Sequence, residues 1–135
     1  MDTVTSKRRS EIMSRIRGKD TLPEMFVRRL VYGMGFRYRL HVKTLPGTPD
    51  LVFRRLGKII EVNGCFWHCH RGCRAGRLPK SRVEYWTPKL DGNRRRDARK
   101  QRGWRAAGWD VLVVWECELK NTPKVTGKIL RFLTR

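Results

Sequence analysis

Apolar positions change their spacing several times along the 135-residue chain, and each change marks an element. From Ser10 to Arg17, Ile12, Met13 and Ile16 fall close to one helical face between basic residues, which predicts a short amphipathic helix or arm within residues 1–20. Thr21 and Glu24 then stand at capping-box spacing, with Pro23 in the first turn, where a missing N–H does no harm. Phe26, Val27, Leu30, Val31 and Met34 give the helix that follows an apolar stripe, and Gly33 and Gly35 end it. Phe36 to Leu40 alternates bulky and charged residues with period two, the pattern of a strand with one buried face. After the Pro46-Gly47-Thr48-Pro49 break, Leu51-Val52-Phe53 and Ile59-Ile60-Glu61-Val62 predict two strands joined at Gly57. Leu90 to Ala107 is polar and arginine-rich, and reads as a basic surface helix closed by Gly108. Val111 to Trp115 is a continuous apolar run, as in a strand covered on both faces. Thr122-Pro123 then caps a last helix carrying Val125, Ile129, Leu130, Phe132 and Leu133. With no repeat and no linker, this order predicts one α/β domain with a mixed central sheet flanked by helices.

Charge turns the fold into a function class. The 32 Lys+Arg against 12 Asp+Glu leave a formal +20 on a single domain, a field that holds a polyanion. A merely solubilising surface is the bland alternative, but such surfaces usually mix both signs. No apolar stretch reaches the roughly 18 residues of a membrane span, and the start has no secretory apolar region. Nucleic acid, not membrane, is the expected partner, met by the basic arm over residues 1–20 and by one face of the basic helix. The expected location is a reducing cytoplasm, where four cysteines are metal-bound thiolates more readily than disulfides.

Asp50 sits between a proline-rich turn and an apolar strand, and Glu61 lies on the next strand of the hairpin. A tight turn brings the start of one strand beside the end of the other, so the two carboxylates can converge on Mg²⁺, which takes one or two carboxylates and completes its shell with water and phosphate oxygens. An aspartate after proline is also an ordinary turn residue, but a carboxylate in a strand of Ile and Val carries a burial cost unless a cation or donor meets it. Asp50…Glu61-Val62-Asn63 resembles the PD…(D/E)xK nuclease signature, with Asn63 where a lysine is usual.

Cys65, Cys69, His70 and Cys73 cluster locally, and Cys117 lies far downstream at the end of the buried strand. Thiolate and imidazole suit tetrahedral, structural Zn²⁺, with both the four-cysteine and the three-cysteine, one-histidine sets open. Such a site would tie the loop to the last strand. Phe66, Trp67 and Trp86 are either core or wedges that enter a base stack, while Trp104, Trp109 and Trp115 read as core. His68 is a natural proton handler near neutral pH, or a packed ring or zinc ligand.

Four separated segments, in order, resemble the very-short-patch-repair (Vsr-type) endonucleases, which nick DNA beside T:G mismatches. These are Arg9 to Ile16 with Thr21-Leu22-Pro23-Glu24, then Leu45-Pro46-Gly47-Thr48-Pro49-Asp50, then Gly64-Cys65-Phe66-Trp67-His68, and Trp109 through Trp115-Glu116-Cys117. The resemblance spans most of the chain and implies a restriction-endonuclease-like fold with a structural zinc. It implies that Asp50 binds Mg²⁺, that His68 is a catalytic base or proton carrier, and that Glu24 and Asp97 support them. It also implies zinc on Cys65, His70, Cys73 and Cys117, although the His70–Cys73 spacing is one residue longer here, leaving Cys69 as an alternative ligand. Phe66, Trp67 and Trp86 fall at intercalating positions, with Met13 on the opposite groove side. Without the resemblance, Asp97 among Arg94, Arg95, Arg96 and Arg99 reads as an ion-pair partner. The chain departs from that family where an aromatic residue and a histidine are expected and Glu61 and Asn63 stand. The expected function is a monomeric, Mg²⁺-dependent endonuclease that nicks DNA at or near T:G mismatches. The alternatives are a restriction- or defence-type nuclease cutting matched DNA, and a catalytically silent zinc-stapled DNA-binding module.

Overall fold

Backbone hydrogen bonds assemble four strands, β1 (Arg39–Leu40), β2 (Leu51–Phe53), β3 (Lys58–Asn63) and β4 (Asp110–Trp115), into one sheet with that spatial order. The computed structural model describes residues 20–135; Met13 and almost all of the basic arm expected over residues 1–20 lie outside the described residues. Strands β1 to β3 are antiparallel neighbours, while β4 runs parallel to β3 with Ile60 opposite Leu112 and Glu61 opposite Val113. The sheet is therefore mixed, and the parallel step is bridged by a helical crossover. Helix α1 (Leu22–Gly33) precedes the sheet, α2 (Val83–Ala106) forms the crossover, and α3 (Thr122–Thr134) closes the chain. Among the described residues, no helix is long and apolar enough to cross a membrane.

The period-two alternation of strand side chains sorts the sheet into two faces. Leu51, Phe53, Ile60, Val62 and Val114 point to one side and pack with Val27 and Val31 of α1 and with Val125, Ile129, Phe132 and Leu133 of α3. Val52, Ile59 and Val111 point to the other and pack with Trp104 of α2 and Val42. Each fully buried aliphatic side chain contributes about 1.5–3 kcal/mol. By the same alternation Asp50, Glu61 and Asn63 belong to the second face, the one covered by α2.

Three elements differ from the sequence reading. The alternation over residues 36–40 survives as burial, with Phe36 and Tyr38 half-buried against the first core, but only Arg39 and Leu40 pair with β2. Phe36 instead donates its N–H to Val31 at the end of α1 (3.3 Å), so the chain is still leaving the helix there. Helix α2 begins at Val83, well before the expected Leu90, and runs through Pro88. Proline removes one helical hydrogen bond, and the packing of Trp86 on Phe66 and Trp67, with ring centroids 5.2 and 5.8 Å apart, offsets that loss. Asn121, not Thr122, caps α3, its side-chain oxygen accepting the Lys124 N–H at 3.2 Å.

Candidate active site

The β2–β3 hairpin changes its bonding where it reaches Asp50. Leu51 pairs with Ile60 in ordinary register. One step on, Asp50 donates its backbone N–H to Glu61 Oε1 at 2.7 Å, and Val62 donates its N–H to Asp50 Oδ2 at 2.9 Å. Two side chains thus stand in for main-chain partners. His41 donates its N–H to the Asp50 carbonyl at 3.1 Å and holds the strand's entry. His41 (φ 45°) and Thr48 (φ 49°) take left-handed backbone that such residues rarely adopt, at about 1–3 kcal/mol each, so the segment before Asp50 is held under strain by its surroundings.

Burial pushes the Asp50 carboxyl well above its usual range, and the neighbouring charge of Glu61 adds to the shift. Burial likewise raises Glu61 to about 7, with the Lys100 ammonium opposing it. Two enclosed carboxyls that resist ionisation side by side are groups that a cation would stabilise in their charged form.

Helix α2 supplies the facing wall. Asp97 is hydrogen-bonded through Oδ2 to His68 Nδ1, and its Oδ1 lies 3.9 Å from Lys100 Nζ, one turn further along the helix. Lys100 Nζ is also 3.6 Å from Glu61 Oε2. Lysine 100 therefore joins the carboxylate pair to the histidine–aspartate pair. Its role was not legible in a run of basic residues, although its spacing from Asp97 puts both on one helix face. Asn63, at 2 % exposure, completes the strand wall.

Glu24 reaches the site from α1. Thr21 caps that helix, its Oγ1 accepting the Glu24 N–H at 3.3 Å. The Glu24 carboxylate does not return to the cap. It meets His41 Nε2 at 3.2 and 3.1 Å and is hydrogen-bonded to Arg28, which also binds Asp20. His41 and Arg28 were not singled out from the sequence: Arg28 pairs with Glu24 one turn away on the same helix, a spacing the sequence does contain, whereas the His41 contact arises only when α1 docks on the β1–β2 connection. Glu24, Asp50, Glu61, Asn63, His68 and Lys100 share one open cavity of about 250 Å³, walled by Phe66 and Trp67.

Beside the cavity, Phe66, Trp67 and Trp86 form a cluster of edge-on and tilted rings with centroids 5.0–5.8 Å apart. Trp67 is buried, its carbonyl accepting from the Asn93 side chain at 3.0 Å, whereas Phe66 and Trp86 are half-buried. Trp104 is core, and its Nε1–H donates to the Pro46 carbonyl at 2.7 Å. Trp109 and Trp115 are only half-buried, as β4 lies at the sheet edge.

Ligand atoms of Cys65, His70, Cys73 and Cys117 all lie within 4.8 Å of one another. His70 Nδ1 is 3.6 Å from the Cys65 sulfur and 3.4 Å from that of Cys117, separations that tetrahedral Zn²⁺ ligands would have. His70 stacks flat on Trp115, 4.1 Å between centroids, which fixes its ring. Gly76 packs on His70 so closely that a Cβ would lie 2.3 Å from the His70 carbonyl oxygen. Burial pushes the Cys65 thiol up to about 12, so its thiolate requires a cation. Cys69 stands apart from the four, its sulfur 3.7 Å from the Leu90 carbonyl.

The mixed sheet presents the carboxylates of its hairpin to a cavity that His68 also lines. The catalytic domain of homing endonuclease I-Bth0305I has the same fold, with a TM-score of 0.52 over 84% of this chain and 94% of that one, at 22% identity. The profile of the DNA mismatch endonuclease Vsr family matches residues 1–74. The type II nicking enzyme V.XorIIP of Xanthomonas oryzae pv. oryzae is 48% identical over 98% of this chain and 96% of its own length. The DNA mismatch endonuclease Vsr of Escherichia coli is 38% identical over 90% of this chain and 78% of its own. The chain belongs to the DNA mismatch endonuclease Vsr family and is a DNA endonuclease.

Proposed function

We propose that this endonuclease nicks one strand of double-stranded DNA at or beside a T:G mismatch, with Mg²⁺ at Asp50 and Glu61 and a structural Zn²⁺ on Cys65, His70, Cys73 and Cys117. The observation that carries the reading is one cavity lined by Asp50, Glu61 and His68, whose ring Asp97 holds from behind, with Phe66 and Trp67 of the aromatic cluster on its wall. The donor set fits Mg²⁺, since two carboxylates line a space with room for waters and phosphate oxygens. When bound, that ion supplies Lewis-acid charge at the scissile phosphate and a water acidic enough to attack near neutral pH. Asp50 is held for this role by the Val62 N–H on Oδ2, which leaves Oδ1 to the cavity. Asp97 fixes Nδ1 of His68, so that Nε2 accepts or delivers the proton of the reaction. Glu24, steadied by His41 and Arg28, supports the water side of the cavity, and Asn63 lines its strand wall. Hydrolysis leaves 5′-phosphate and 3′-hydroxyl ends.

Phe66, Trp67 and Trp86 wedge the base stack beside the nick, with Met13 on the opposite groove side, and a T:G step opens more readily than a matched one. A single domain with one such cavity works as a monomer, in the cytoplasm with its DNA. The zinc holds the Cys65–Cys73 loop to the end of β4.

The test compares nicking of matched and T:G-mismatched duplexes with Mg²⁺, in wild type and Asp50→Ala. Preferential nicking of the mismatched duplex, lost in the variant, is expected. Equal cutting of both duplexes would reassign the protein as a matched-site nuclease, and activity unchanged in Asp50→Ala would end the carboxylate reading.

A further inference from the structure

The cavity is strongly acidic for a site that must accept a phosphodiester. Glu24, Asp50, Glu61 and Glu116 line it, and among the described lining residues Lys100 is the only lysine or arginine. We infer that Lys100 is the catalytic cation of the nicking reaction, its ammonium meeting a non-bridging oxygen of the scissile phosphate as charge builds there. This assignment rests on the endonuclease reading above and adds a residue to it.

The first support is where the ammonium stands. It lies 3.6 Å from Glu61 Oε2 and 3.9 Å from Asp97 Oδ1, close enough for charge attraction but beyond the 2.7–3.2 Å of ordinary N–H···O bonds. Charge attraction to two carboxylates therefore places the ammonium within the cavity.

The second support is the route by which it arrives. The Pro46-Gly47 turn is pinned to α2 by the Trp104 Nε1–H on the Pro46 carbonyl. The Lys100 stem passes directly over Gly47, where a Cβ would fall 2.2 Å from Lys100 Cδ and 2.5 Å from Cγ. Only glycine leaves this passage open, and at φ +78° the position also favours glycine. Trp104 flanks the stem, its ring centroid 5.8 Å from Nζ. The turn that presents Asp50 and the helix that presents Asp97 thus build one slot for one lysine.

The third support is what the strand lacks. Asn63 shares the face of Glu61 and lines the cavity, but is neutral and offers no charge to the phosphate. A compact ammonium on a flexible stem, arriving from the opposite wall, supplies it.

The experiment measures single-turnover nicking by the full chain with Mg²⁺ on a T:G duplex carrying phosphate, or separated Rp or Sp phosphorothioate, at the scissile position. Lys100→Met should slow the phosphate substrate roughly 100-fold, the scale of losing one preorganised donor to developing negative charge, with duplex affinity within about twofold. Wild type should lose further rate with sulfur in the lysine-facing position, and Lys100→Met should not. Lys100→Gln carries the same comparison if Lys100→Met fails to fold. Wild-type rates in the variant, or equal slowing of all three substrates, would overturn the assignment while leaving the nuclease standing. A wild type that nicks no duplex would overturn both.

Discussion

Asp50 and Glu61 brace each other across the hairpin: the Asp50 N–H is held by the Glu61 carboxylate at 2.7 Å, while the Asp50 carboxylate holds the N–H next to Glu61 at 2.9 Å. The same bonds that close the end of the sheet hold two enclosed carboxyls side by side, so folding and the ionisation of the pair are linked there.

That linkage has a pH signature. Asp50 and Glu61 titrate higher in the folded protein than their ordinary values of 3.8 and 4.5, Glu61 at about 7. Without metal, the folded state holds protons that the unfolded chain has released, so the stability these groups contribute is full below about pH 4 and is lost as pH rises through about 7. Melting of metal-free protein should therefore show this contribution fading from pH 5 to pH 8. Mg²⁺ should raise the melting temperature more at pH 8 than at pH 5, and an equal rise at both would argue against a cation on this pair.

His68→Ala should lower kcat by roughly 10²–10⁴-fold with KM little changed, the range for losing a positioned proton carrier. Asp97→Asn leaves the ring without its anchoring carboxylate and should lower kcat in the same direction. Steady-state kinetics on a nicked-duplex assay reads both, and a change in KM alone would place His68 in binding.

Zinc removal should unfold or loosen the Cys65–Cys73 loop, seen as a lower melting temperature with chelator. Metal analysis should find zinc retained in Cys69→Ser and lost in His70→Ala. The reverse pattern would exchange the ligands.

Gly47→Ala should reduce nicking by pushing the Lys100 stem out of its slot. Because both changes act on one ammonium, Gly47→Ala with Lys100→Met should be little slower than Lys100→Met alone. Multiplying rate losses would mean that Gly47 acts elsewhere.

Helix α1, the β2–β3 hairpin and the placing of Asp50 beside Glu61 were legible from local pattern alone, whereas His68 was singled out by the family resemblance. Apolar period, Pro-Gly breaks and motif spacing are properties of neighbouring residues, and the hairpin brings positions 50 and 61 together through one short turn. The cysteine–histidine cluster was legible as a group, but the choice of His70 over Cys69 was not. That choice depends on which way each side chain leaves a tight loop, with His70 laid flat on Trp115 from β4. The extent of α2 was misjudged because Pro88 is a breaker locally, and its cost is met by aromatic contacts with residues some twenty positions away. Glu24 read as half of a cap until docking of α1 turned its carboxylate toward His41. Lys100 was one basic residue among many, and nothing in its neighbours distinguishes it. What sets it apart is the packing of α2 against a glycine turn, a contact between segments far apart in sequence that only the folded chain brings together.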